Sequence, residues 1–156
     1  MEDMKRILVV SRDTTYCRKA VHYGVSLSRK YGAELSVMHV VHDPFIFGGW
    51  NLPMPSREDA YRKVLQEAKE ELHAIIKTEK KKGMAIRELI REGNPAEEII
   101  KMVREERIDL LIMLAHEEGH MEHFLFGRSN EEIIRKMPCS VFMVKKEPGP
   151  MSAATI

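Results

Sequence analysis

The stretch Ile7-Leu8-Val9-Val10 is apolar at four successive positions and rich in β-branched side chains. A strand with one wet face alternates apolar with polar residues. A short run that is apolar throughout suits a strand buried on both faces, as in the interior of a parallel sheet. Such a strand demands a layer of structure on each side, and the rest of the chain supplies the parts. Asp109 to Leu114 is a second buried run, Val141 to Val144 a third, and Glu34 to Val41 reads as a further strand. Ala85 to Arg91 is weaker and partly alternating, which suits a sheet edge. Helices fall between these runs. Asp13 and the threonines after it can cap a helix in which Cys17, Ala20, Val21, Gly24, Val25 and Ser28 form one stripe, with Gly32 at its end. Ser56 opens a long helix with Tyr61, Val64, Leu65, Ala68, Leu72, Ile75 and Ile76 at helical spacing, closed by Lys80 to Lys82 and Gly83. Asn94-Pro95-Ala96-Glu97 combines a capping asparagine, a proline at the first helical position and acids in the first turn. A last helix carries Ile133, Ile134 and Met137. Strands alternating with helices define an α/β fold: a parallel sheet, helices on both faces, right-handed crossovers.

Composition narrows the class. A chain of 156 residues suits one domain, residues 1–146, followed by a tail, 147–156, whose proline, glycine and small residues predict disorder. The hydrophobic share of 44% and charged share of 31% are those of an ordinary globular protein. A formal charge of +1 gives no overall pull toward nucleic acid or an anionic membrane, so neither is expected as a partner. No apolar run approaches the ~20 residues needed to span a bilayer. The charged Met1 to Arg6 leads straight into a strand and does not read as a signal peptide. Cys17 and Cys139 lie far apart and read as small apolar core residues in a reducing compartment, so a cytoplasmic location is expected.

Two loops stand out. The run His116-Glu117-Glu118-Gly119-His120 spells the zinc-protease pattern, but it starts just after a buried strand and contains a glycine, so the helix that chemistry requires is not expected. A simpler metal site remains open: His116, His120 and His123, with Glu117 and Glu122, gather donors suited to zinc, nickel or copper; the alternative is a solvated charged loop. The segment from Phe45 to Met54 holds Phe45, Ile46, Phe47, Trp50, Leu52 and Met54 among glycines and prolines. It reads as a lid over a cleft, a contact with a second copy, or a cover for the protein's own core. No serine, histidine and acid are spaced to suggest a triad, so no catalytic residue is assigned and no enzyme is expected.

Four stretches in order then carry a resemblance: "KRILVVSRDTTYCRKAVHYGVSLSRKYGAELSVMHVV", "REGNPAEEIIKMVREERIDLLIML", "FGRSNEEIIRK" and "MPCSVFMVKK". From Lys5 to Lys146 the chain resembles the universal stress protein family. The resemblance implies a doubly wound five-stranded parallel sheet in the order 3-2-1-4-5, and a homodimer formed through the last strand, here Val141 to Val144. ATP-binding members carry a glycine, two residues, a second glycine, nine residues, then a glycine with serine or threonine. Glycines let backbone N–H groups approach the phosphates, and the helix that follows favours negative charge. Counting back from Gly127 puts Leu114 and Glu117 at the first two glycine positions and Arg128 at the hydroxyl position, with Ser129 next. Arg12 stands where the family's acidic residue should be, with Asp13 one place later.

The expectation is a non-enzymatic stress-response or regulatory dimer that acts through protein interactions, without normal ATP binding and with no cofactor. Two alternatives stand beside it. One is a sensor of ATP or AMP using a variant loop built from Arg12, Asp13, Gly127, Arg128 and Ser129. The other is a metal-responsive module using His116, His120 and His123.

Overall fold

The structure, a computed structural model, describes residues 3–11, 14–41, 54–115 and 128–145. In chain order they form β1 (Arg6–Ser11), α1 (Thr14–Tyr31), β2 (Glu34–Val41), α2 (Met54–Lys81), β3 (Ile86–Glu92), α3 (Pro95–Glu105), β4 (Leu110–Leu114), α4 (Arg128–Lys136) and β5 (Ser140–Val144). The strands make one parallel five-stranded sheet in the order β3-β2-β1-β4-β5, as the resemblance implied. β1 is central, with Ile7 to Val10 wholly enclosed. Its odd residues Ile7 and Val9 pack with α1 and α2, and its even residues Leu8 and Val10 pack with α3 and α4. β4 divides the same way, Ile112 and Leu114 to the first side and Leu111 and Met113 to the second. This is the two-sided burial that an unbroken apolar run calls for.

α1 lies unusually close to the sheet because Gly24 faces it: a Cβ there would stand 2.6 Å from Val9 Cγ2. Gly32 ends the helix with φ +66, in the left-handed region that glycine enters without strain. α3 starts as its signals direct. The Asn94 side-chain oxygen accepts from the Glu97 N–H at 3.2 Å, Pro95 occupies the first turn, and Glu97 and Glu98 face the positive end of the helix dipole. Asp109, just ahead of β4, accepts from the N–H groups of Lys5 and Arg6 at 2.7 and 2.8 Å, which pins the start of β1 to the start of β4.

Three local expectations need correction. α2 begins at Met54 rather than Ser56; Pro55 falls in the first turn, where a missing N–H costs nothing. The last helix ends at Lys136, and Met137 takes φ +37 just beyond it. Of the three apolar residues assigned to that helix only Ile133 is buried, while Ile134 and Met137 are 45% and 55% exposed. Cys17 is buried, but Cys139 is only half-buried; burial still pushes its thiol up to about 11, so both cysteines are poor nucleophiles by environment or access.

Candidate functional site

In an open α/β sheet, ligands sit outside the carboxyl ends of the strands where the winding direction reverses. Here that point lies between β1 and β4, since the chain steps from β1 outward to β2 and β3, then returns to β4 and β5. Ser11 closes β1 and Leu114 closes β4, both buried. The next element on the β4 side is the start of α4, where Ser129 and Asn130 are each 5% exposed.

Asn130 ties these pieces together. Its Nδ2 donates to the Leu114 carbonyl at 3.1 Å, fastening the third residue of α4 to the last residue of β4. Beside that bond, the Ala115 N–H donates to the Val144 carbonyl at 2.8 Å, so β5 is fixed at the same level. Among the described residues the buried Asn130 Oδ1 has no hydrogen-bond partner. A buried amide oxygen left unpaired costs on the order of 1–3 kcal/mol, so the position favours an incoming donor, a hydroxyl or an amino group. Turning the amide over would not relieve the site, because it would set two acceptors against each other at the Leu114 carbonyl.

On the β1 side, His39 near the end of β2 lies across from Ser11, and its ring N–H at Nδ1 donates to the Ser11 carbonyl at 2.9 Å. Burial lowers the pKa of this imidazole from 6.5; the bond to Ser11 and the negative charge of Glu71 pull the other way without restoring it. His39 is therefore a neutral side chain near pH 7, holding the point at which the chain leaves β1.

Of the residues singled out in the sequence, Ser129 and Leu114 are brought together by Asn130. Leu114 is the last residue of β4 and turns its side chain into the core beside α1. Arg128 opens α4. Arg12, Asp13, Glu117 and Gly127 lie outside the described residues. So do His116, His120 and His123, and all of the Phe45 to Met54 segment except Met54. Among the described residues no group of three metal-binding side chains comes together. Asn130 and His39 were missed by sequence reasoning. His39 did leave a signal, as a titratable residue within the apolar run Val37 to Val41.

The opposite edge of the sheet carries a different cluster. Glu88 of β3 accepts from Lys80 Nζ at 2.6 Å and pairs with His73 Nδ1 at 3.2 Å. Burial pushes the Glu88 carboxyl up, but the bonds and charges of Lys80 and His73 outweigh it and leave the pKa below its ordinary value. On the other face of β3, Arg87 pairs with Glu106 at 3.1 Å and Arg91 with Glu105 at 3.7 Å.

These features define a small doubly wound α/β protein with a polar switch point. The profile of the universal stress protein family matches residues 4–145, and the chain belongs to that family. It is 26% identical over 144 residues to universal stress protein MJ0531 of Methanocaldococcus jannaschii, covering 91% of this chain and 82% of that one. To universal stress protein MJ0577 of the same organism it is 32% identical over 85 residues, covering 54% of this chain and 52% of that protein. The solved structure of MJ0577 superposes with a TM-score of 0.75 at 24% identity, over 95% of this chain and 100% of that one. A structure of the universal stress protein from Archaeoglobus fulgidus in complex with dAMP superposes at 0.59 with 20% identity, over 93% of this chain and 100% of that one. No helix among the described residues is long and apolar enough to cross a membrane.

Proposed function

We propose that this protein is a non-enzymatic stress-response regulator of the cytoplasm that works as a homodimer through protein contacts, joined along β5. The observation that carries this reading is the contrast between the two sheet edges. β3 is flanked by ion pairs on both faces. β5 instead exposes Phe142 and Met143, with Tyr23 edge-on to Phe142, and Ile134 and Met137 are exposed on α4 and just beyond it. An exposed apolar edge strand is a template for pairing, and a cluster of this kind marks an interaction surface. The first-turn acid Glu131 supports weak ATP binding, since it already answers the helix dipole of α4.

A second reading, a nucleotide sensor, is favoured by the Asn130 Oδ1 at the switch point, unpartnered among the described residues, and by the dAMP complex of a protein with the same fold. Native mass spectrometry separates the two. The regulatory dimer gives a mass of two chains with nothing added, and Phe142→Lys shifts it to one chain. A wild-type monomer at micromolar concentration overturns the dimer. Co-purified nucleotide moves the sensor to first place.

A further inference from the structure

Opposite charges nearly balance over the chain, with 25 lysines and arginines against 24 aspartates and glutamates, but they are not evenly mixed. α1 has no acidic residue in its 18 positions and carries Arg18, Lys19, Arg29 and Lys30. α2, α3 and α4 each interleave both signs. The helix dipole accounts for Arg29 and Lys30, which sit at its negative end. It does not account for Arg18, which lies toward the positive end at a small cost. Arg18, His22, Ser26 and Arg29 recur at helical spacing, so they form one ridge, and all are exposed.

That ridge borders a groove of about 420 Å³ between α1 and α2. α1 contributes His22, Val25, Ser26 and Arg29 to it; Glu79 and Lys82, at the end of α2 and just beyond, face them. Glu79 is the only acid among the described lining residues. Its side chain is 16% exposed, whereas those of Arg29 and Lys82 keep 52% and 59%. The carboxylate therefore lies deeper than the two cations that share it, at 3.9 and 3.5 Å. The longer distance exceeds that of a hydrogen bond, so the guanidinium fork of Arg29 keeps donors for an incoming carboxylate.

The size of the ridge selects the partner. From Arg18 to Arg29 the helix rises about 17 Å, the reach of about five residues of extended chain. Arg18, Arg29 and Lys82 offer about three contacts to a phosphate chain, short of the roughly 6–10 that hold a nucleic acid firmly. A peptide needs fewer charged anchors, because the apolar Val25 in the groove gives its uncharged side chains a surface to cover.

We propose that the groove between α1 and α2 receives a short, extended, acidic segment of a partner protein, with carboxylates held at Arg18 and Arg29. This rests on the reading above that the protein acts through protein contacts, and it names the partner's chemistry. Tyr23 turns to Phe142 on the other flank of α1, so an occupant of the groove leaves β5 clear.

Rhodamine-labelled octaglutamate is the probe, read by fluorescence anisotropy on the full chain at low salt. Arg18→Glu and Arg29→Gln should each weaken binding about threefold or more, while Lys101→Glu, on the exposed face of α3, should change it less than about twofold. Thermal melts of each variant confirm that it is folded, and Arg18→Glu leaves the Glu79 pairs untouched. Absence of binding by wild type overturns the proposal, as does an equal loss in Lys101→Glu. Tighter binding of octathymidylate, lost in the same variants, overturns it in favour of nucleic acid. Sedimentation of the same proteins keeps the dimer separate: a dimer that ignores octaglutamate refutes the groove alone, and a monomer that binds it refutes the dimer alone.

Discussion

His39 shows how one side chain couples the sheet to solution conditions. Its folded-state pKa lies below 6.5 while the unfolded chain titrates near that value. Between those two pKa values the unfolded state binds more protons, so stability falls as pH drops from about 6.5 and levels off below the folded pKa. His39→Gln removes this contribution, and the loss of stability between pH 7.5 and 5.5 should shrink. Urea melts of both proteins at the two pH values measure the difference; an unchanged drop refutes the assignment. The residue scale is also where the sequence says least. Nothing around Asn130 marks it as more than another polar residue in the first turn of a helix. Its bond to the Leu114 carbonyl spans 16 positions and exists only once β4 and α4 are docked.

Single elements were far more legible, because their signals are local. Asn94, Pro95 and Glu97 specify the start of α3 within four residues, and the structure uses each of them as expected. Asn94→Ala should cost about 1 kcal/mol by removing the acceptor for the Glu97 N–H. Chemical denaturation reads that value, and Asn94→Asp should keep most of the stability. α4 was less legible for a physical reason. A nine-residue helix has little more than two turns, so the stripe Ile133, Ile134 and Met137 could not settle which residue faces the sheet. Only packing decides, and it buries Ile133 while leaving its neighbour exposed. The start of α2 was misjudged by two residues because serine is a common cap and proline a common first-turn residue, and the two signals compete over Met54 to Ser56.

For the whole molecule, alternation of strand and helix gave the α/β class, but strand order came only from the family resemblance. Periodicity carries no information about which strands are neighbours. The dimer reading has a consequence for stability that no single residue reports. Association through the folded β5 edge makes the thermal midpoint rise with protein concentration, since dilution releases the partner. Scanning calorimetry across a hundredfold range of concentration should show that rise for wild type and none for Phe142→Lys. A flat wild-type response contradicts association through a folded interface.

The ion pairs along β3 then acquire a role in stoichiometry. A sheet with two receptive edges can recruit copies without limit, whereas one with a single receptive edge is satisfied by one partner and growth stops. Glu88, Arg87 and Arg91, held by Lys80, Glu106 and Glu105, make β3 the closed end. On this view the surface charges of β3 do little for the fold of one chain and much for its solubility, because they decide whether pairing ends in a dimer or runs on into a filament.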